Sequence, residues 1–205
     1  MKTLAVFGGT FNPFHIGHKQ ILEAICELKW VDKVLIIPSK IPPHKSVDFL
    51  ASDIHRINMC KLASQKYSKA SVSELEILRV GKSYTVDTLS DIRELYPEYE
   101  IALTVGGDMI TSFTEWKDYN TILKSTKLIA FSRVGTQNED FINAVEGLKN
   151  CGADINVLDT EITEISSTII RNNINNRSFC EKFLSEDILN YIYDNNVYGD
   201  QLDLR

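Results

Sequence analysis

"GGTFNPFHIGH", residues 8–18, lies between the apolar run "TLAVF" (3–7) and a stretch with helical spacing. A short apolar run, a glycine turn and an amphipathic segment make the first half of a βαβ unit. Glycines at such a turn let a ligand come close to the backbone, and Gly17 is expected to do the same between the two histidines. His15 and His18 are three apart, so a helix starting near Phe14 or His15 projects both imidazoles from one side of its first turn. That turn carries unpaired N–H groups and the positive end of the helix dipole, an arrangement suited to a triphosphate. The same histidines could cap a surface helix. They could also form a zinc pair, although no third and fourth ligand are suitably spaced.

Working outward, further β-branched or apolar runs occur at 33–38, 70–77, 101–105, 127–132 and 155–159. Helical spacing fills the gaps at 16–28, 49–67, 85–95, 109–123 and 141–150. Strands alternating with helices imply a parallel sheet. Most of these runs are apolar almost throughout, as strands covered on both faces are, whereas "ASVSELEI" (70–77) alternates and is expected at an edge. "SSTIIRNNINN" (166–176) and "SEDILNYIYDNNVYG" (185–199) read as helices, the second opened by Ser185-Glu186-Asp187.

The expected fold is therefore a doubly wound, Rossmann-like α/β sheet of order 3-2-1-4-5 plus a sixth strand. Helices cover both faces, and a C-terminal helical part spans about 166–198 of one domain, 1–205. In that order strands 1 and 4 flank the switch-point crevice, so Gly8-Gly9 and Gly106-Gly107 would face each other across a ligand.

Composition narrows the classes. The 205 residues carry a net charge of -6, with 43% hydrophobic and 24% charged residues, as in an ordinary globular chain without the basic surplus of a nucleic-acid binder. Cys26, Cys60, Cys151 and Cys180 lie far apart, which argues against a structural zinc site and a disulfide framework. The N-terminal apolar run is too short for a signal peptide, and no run approaches bilayer length. The expectation is a cytoplasmic protein with no membrane partner; a homo-oligomer stays open.

"EISSTIIR" (164–171) adds a helix start with Arg171 four residues beyond Ser167, which is either a capped surface helix or a cationic fork at an anion site. Together, the glycine turn, HxGH and SSTxxR mark the HxGH nucleotidyltransferase superfamily. "IIPSKIPPHK" (36–45), "SYTVDTL" (83–89) and "VGGDMITSFTEWKDY" (105–119) then make the whole chain resemble the bacterial nicotinate-nucleotide adenylyltransferases. Gly107 stands where that family often has alanine.

The resemblance implies adenylyl transfer from ATP, with Mg2+, to nicotinate mononucleotide, giving nicotinate adenine dinucleotide and pyrophosphate. It implies that His15, His18, Lys45 and Arg171 are catalytic. Gly8, Gly9, Thr10, Phe11, Gly17, Lys40, Gly106, Asp108, Ser166, Ser167 and Thr168 would bind ATP. Asn12, His44, Tyr84, Thr85, Trp116 and Tyr119 would bind the mononucleotide, and no protein metal cage is expected. The bland alternatives are an N-cap role for Asp108 and a core role for Trp116. The lysines of 39–47 are expected to await phosphates, so this loop should become ordered when nucleotide binds. Rival readings are pantetheine-phosphate adenylyltransferase, which would lack "SYTVDTL"; a class I aminoacyl-tRNA synthetase core, which would need a KMSKS-like loop; a dual nicotinate/nicotinamide enzyme; and a non-catalytic nucleotide-binding module.

Overall fold

A computed structural model describes residues 1–40, 50–131, 139–158 and 160–199. The strands among them are β1 (Lys2–Gly9), β2 (Lys33–Pro38), β3 (Ala70–Val72), β4 (Tyr99–Gly106), β5 (Lys127–Phe131) and β6 (Ile155–Leu158). All pair in parallel, in the order β3-β2-β1-β4-β5-β6. The helices are α1 (Ile16–Glu27), α2 (Asp53–Ser64), α3 (Leu75–Leu78), α4 (Thr85–Leu95), α5 (Gly107–Thr111), α6 (Tyr119–Ser125), α7 (Glu139–Asn150), α8 (Ser167–Asn172), α9 (Arg177–Cys180) and α10 (Glu186–Asp194). None is long and apolar enough to cross a membrane.

Alternate strand residues feed two cores. Ala5, Phe7, Val34 and Ile36 pack with α1, α2 and the C-terminal helices. Leu4, Val6, Leu35 and Ile37 pack on the other face with α4, α6 and α7. This double coverage explains why the strands read as continuous apolar runs. From β1 the chain winds first toward β3 and then, from β4, toward β6. The carboxyl ends of β1 and β4 therefore border the crevice where the winding reverses.

Four elements differ from the sequence reading. The run 70–77 is strand only to Val72. Ser73 Oγ then accepts the Leu75 N–H at 3.3 Å, and the rest of the alternation becomes α3. The stretch 109–123 is not one helix. The Thr111 and Ser112 hydroxyls bond back to the Asp108 carbonyl, a 3-10 turn follows at Phe113–Glu115, and Asp118 stands at φ 50, a left-handed conformation that no helix accommodates. The helix expected over 49–67 is confined to α2. The segment 166–176 ends its helix early because Asn173 bonds the Ile169 carbonyl and Asn176 caps α9 through the Phe179 N–H.

Candidate active site

The loop after β1 is built on aromatic packing. Phe11 stacks on Phe14 with ring centroids 5.2 Å apart and meets Phe7 and His18 edge-on at 5.3 and 5.0 Å. Phe11 adopts φ 49 and is fully buried. A Cβ on Gly9 would fall 2.8 Å from its ring, and one on Gly17 would fall 3.2 Å from the Thr163 carbonyl and 3.3 Å from the His15 ring. These two glycines therefore admit the chain's own groups. The Phe11 side chain lies in the core.

His15 is the N-cap of α1 and His18 its third residue. The rings stack 3.7 Å apart at 22°, and the His15 N–H donates to His18 Nδ1 at 3.2 Å within a reciprocal capping box. With Nδ1 accepting, a neutral His18 carries its proton on Nε2. The cap and anion readings of this pair are thus compatible: capping sets the tautomer that can donate. His15 itself is buried, 8% exposed.

The loop is braced from four directions. Asn12 Oδ1 accepts from the Ala51 N–H at 3.1 Å and the Tyr198 hydroxyl at 3.0 Å, and Ser167 Oγ donates to the Pro13 carbonyl at 3.0 Å. Burial pushes the Tyr198 phenol up, which keeps it a neutral donor. Arg171 donates to the Asn12 carbonyl at 2.9 Å and reaches back along α8 to Thr168 Oγ1 at 3.3 Å. Arg56, on α2, donates to the carbonyls of Thr10 and Ser39 and pairs with Asp53. Sequence reasoning missed Arg56 and Tyr198, because no local pattern marks a buried arginine or a phenol that reaches back to Asn12. The Asn12 side chain is buried in this bracing, and Arg171 packs against the loop, 6% exposed. Ser166 acts as the N-cap of α8, accepting from the Ile169 N–H.

Between the ends of β1 and β4 lies a cleft of about 760 Å³. Gly8, Gly9 and Thr10 form one wall with Ser39, and Gly106 and Phe131 form another. The third wall is Ser83, Tyr84, Thr85 and Thr88 at the start of α4, with Trp116. One face of Trp116 is covered by Phe113, stacked at 4.8 Å. The histidine pair adjoins Phe11 and Phe14 rather than lining this wall.

Three further site residues stand outside these walls. Asp108 is exposed in a neighbouring hollow of about 490 Å³ beside α7, and the N-cap of α5 is Gly106 rather than Asp108. Tyr119, the first residue of α6, packs against the core, and its N–H donates to the carbonyl of the cleft residue Trp116 at 3.2 Å. Lys40 Nζ bonds the Arg79 carbonyl at 3.2 Å. His44 and Lys45 lie outside the described residues, as does nearly all of the proline loop expected to become ordered with nucleotide.

Behind α4 a polar chain backs the cleft. Thr88 Oγ1 donates to Glu76 at 2.8 Å and accepts from Arg79 at 2.8 Å, and Arg79 also pairs with Asp91. Burial outweighs the Thr88 bond and the Arg79 charge and holds the Glu76 carboxyl above its ordinary 4.5. A carboxyl raised on folding contributes stability that is complete below pH 4.5 and is lost as pH rises through the folded value. Glu76→Gln should therefore melt higher than wild type at neutral pH. The difference should shrink as pH falls toward 4.5, as thermal melts across that range would read. A constant or inverted difference refutes the burial argument.

A cytidylyltransferase-like family profile matches residues 6–173. A probable nicotinate-nucleotide adenylyltransferase of Carboxydothermus hydrogenoformans is 39% identical over 95% of this chain and 97% of its own length. The protein of that name from Borreliella burgdorferi is 36% identical over 95% of this chain and 96% of its own. Among solved structures, Plasmodium falciparum nicotinic acid mononucleotide adenylyltransferase complexed with NaAD superposes with a TM-score of 0.81 at 21% identity. That match covers 99% of this chain and all of the other, and it attests the shared fold.

Proposed function

The chain belongs to the cytidylyltransferase-like family, and on that premise we propose that it transfers the adenylyl group of ATP to nicotinate mononucleotide, yielding nicotinate adenine dinucleotide and pyrophosphate. The observation that carries this reading is one cleft with two kinds of wall. The glycine turns of β1 and β4 offer close backbone approach to phosphates, while the α4 N-terminus and Trp116 offer an anion site beside an aromatic face. The full-length likeness to named adenylyltransferases supports it.

The mononucleotide phosphate is already a nucleophile. Its oxygen bonds to the α-phosphorus as the bond to the β-phosphate oxygen breaks, so the protein's task is positioning and charge neutralisation. His18 donates from Nε2 to the α-phosphoryl oxygens, with His15 stacked beneath it. Ser166, Ser167, Thr168 and Arg171 frame the β- and γ-phosphates, joined by Lys40 and Lys45. Gly8, Gly9, Thr10 and Gly106 border the ATP backbone, and Asp108 takes a ribose hydroxyl. Tyr84 and Thr85 receive the nicotinate carboxylate, and Trp116 stacks on the pyridine.

Magnesium is proposed to accompany ATP, with no protein metal cage assigned to it. Bound with ATP, it would neutralise charge on the phosphates. The protein works in the cytoplasm as one domain.

The test is pyrophosphate release from magnesium–ATP with nicotinate mononucleotide, nicotinamide mononucleotide or neither. Release that depends on the acid supports the reading. ATP binding without release under any condition leaves a nucleotide-binding module and overturns it.

A further inference from the structure

Arg56 is 0% exposed, yet it carries a full charge. Burying a guanidinium is costly unless its donors are matched. Its one carboxylate partner, Asp53, is itself 38% exposed. The remaining matched donors go to two main-chain carbonyls, Thr10 at 2.9 Å and Ser39, far apart in sequence. Both residues line the cleft, and the strands that deliver them run side by side: Gly9 pairs with Pro38, and the Ser39 N–H donates to the Gly9 carbonyl at 2.9 Å. The rest of the buried face of α2 is Ile57, Met59 and Cys60 in the core and Ser64, whose hydroxyl bonds its own helix at Lys61, so the helix does not need a charge there to dock.

Peptide geometry gives this pairing a consequence. The only cis bond among the described residues is Asn12–Pro13, so the units 10–11 and 39–40 are trans. In a trans unit the N–H points opposite to the C=O. Holding the Thr10 and Ser39 carbonyls at Arg56 therefore fixes the Phe11 and Lys40 N–H groups on the side away from Arg56, in two peptide units whose first residues line the cleft. Resting on the adenylyltransferase reading, we infer that Arg56 is a positioning residue: it aims two peptide units, one from each strand end, so that their N–H groups meet the phosphates of ATP. It touches no substrate and acts through the main chain that it holds.

Arg56→Lys keeps the charge but presents a compact ammonium in place of the planar fork. The matched control is Met59→Ala, on the same helix and fully buried, remote from the cleft walls. Both proteins are assayed below their melting temperatures, with ATP binding measured by calorimetry alongside pyrophosphate release. A displacement of about 1 Å costs about a hundredfold in rate, so Arg56→Lys should lose about 10- to 100-fold in kcat/KM for ATP. Its KM for the mononucleotide should stay within about threefold, because that wall is not held by Arg56. Met59→Ala should lower Tm at least as much and keep wild-type kinetics. Wild-type kcat/KM and ATP affinity in Arg56→Lys, or an equal kinetic loss in Met59→Ala, overturns the inference while the adenylyltransferase reading stands. Should the wild type release no pyrophosphate, that reading falls by itself. Weakened ATP binding by Arg56→Lys would still uphold the positioning role, and unchanged binding would end it.

Discussion

His18→Ala should lower turnover by about 10²–10³-fold, the cost of losing one preorganised donor to a developing anion. The argument rests on which nitrogen holds the proton. The His15 N–H occupies Nδ1, so the neutral ring carries its proton on Nε2, and on the adenylyltransferase reading that N–H meets the phosphate. The same substitution opens the capping box at the start of α1, worth about 0.5–2 kcal/mol, and so lowers Tm by several degrees. The two effects separate with His18→Glu. Glutamate at the third helical position completes a capping box, so Tm should recover toward wild type. It has no proton to donate and sets a negative charge beside the phosphates, so turnover should fall at least as far as in His18→Ala. Turnover close to wild type in either variant would remove His18 from the reaction and leave it a cap alone.

The second large effect concerns the pyridine substituent. Tyr84 is the N-cap of α4 and Thr85 its first residue; the Asp87 and Thr88 N–H groups donate to the Tyr84 carbonyl, which leaves the Thr85 and Val86 N–H groups to meet a carboxylate at the positive end of the dipole. A carboxylate gains charge-assisted bonds there, whereas an amide turns its NH₂ against donors and leaves polar groups unpaired at about 1–3 kcal/mol each. Nicotinate mononucleotide should therefore exceed nicotinamide mononucleotide by about ten- to a hundredfold in kcat/KM. Thr85→Ala should preserve that ratio, because the contact is main chain. Trp116→Ala should weaken both substrates alike, by about 3- to 30-fold for a lost cation–π stack of about 0.5–2 kcal/mol. Glu76 stands in the same wall and opposes an anion, so Glu76→Gln should widen the preference. Equal use of acid and amide by the wild type would assign a dual-specificity enzyme.

The apolar runs at 3–7, 33–38, 101–105 and 127–132 became β1, β2, β4 and β5, because a strand covered on both faces must be apolar at every position and that constraint is written residue by residue. The histidine spacing at 15 and 18 and the start of α4 at Tyr84–Thr85 were legible for the same reason: helix caps and their partners lie within one turn. Local pattern misled where a single side chain diverted the backbone, as Ser73 did in the third run and as Thr111 and Ser112 did after α5. Tertiary structure alone decided what holds the loop after β1. Arg56 is 46 positions from Thr10, Arg171 is 159 positions from Asn12, and Tyr198 is 186 positions from Asn12. It also decided what Gly9 and Gly17 make room for, which is Phe11, His15 and the Thr163 carbonyl. A hydrogen bond or a steric contact requires only that two groups meet in space, and at such separations the sheet brings them together while neither neighbourhood encodes the other.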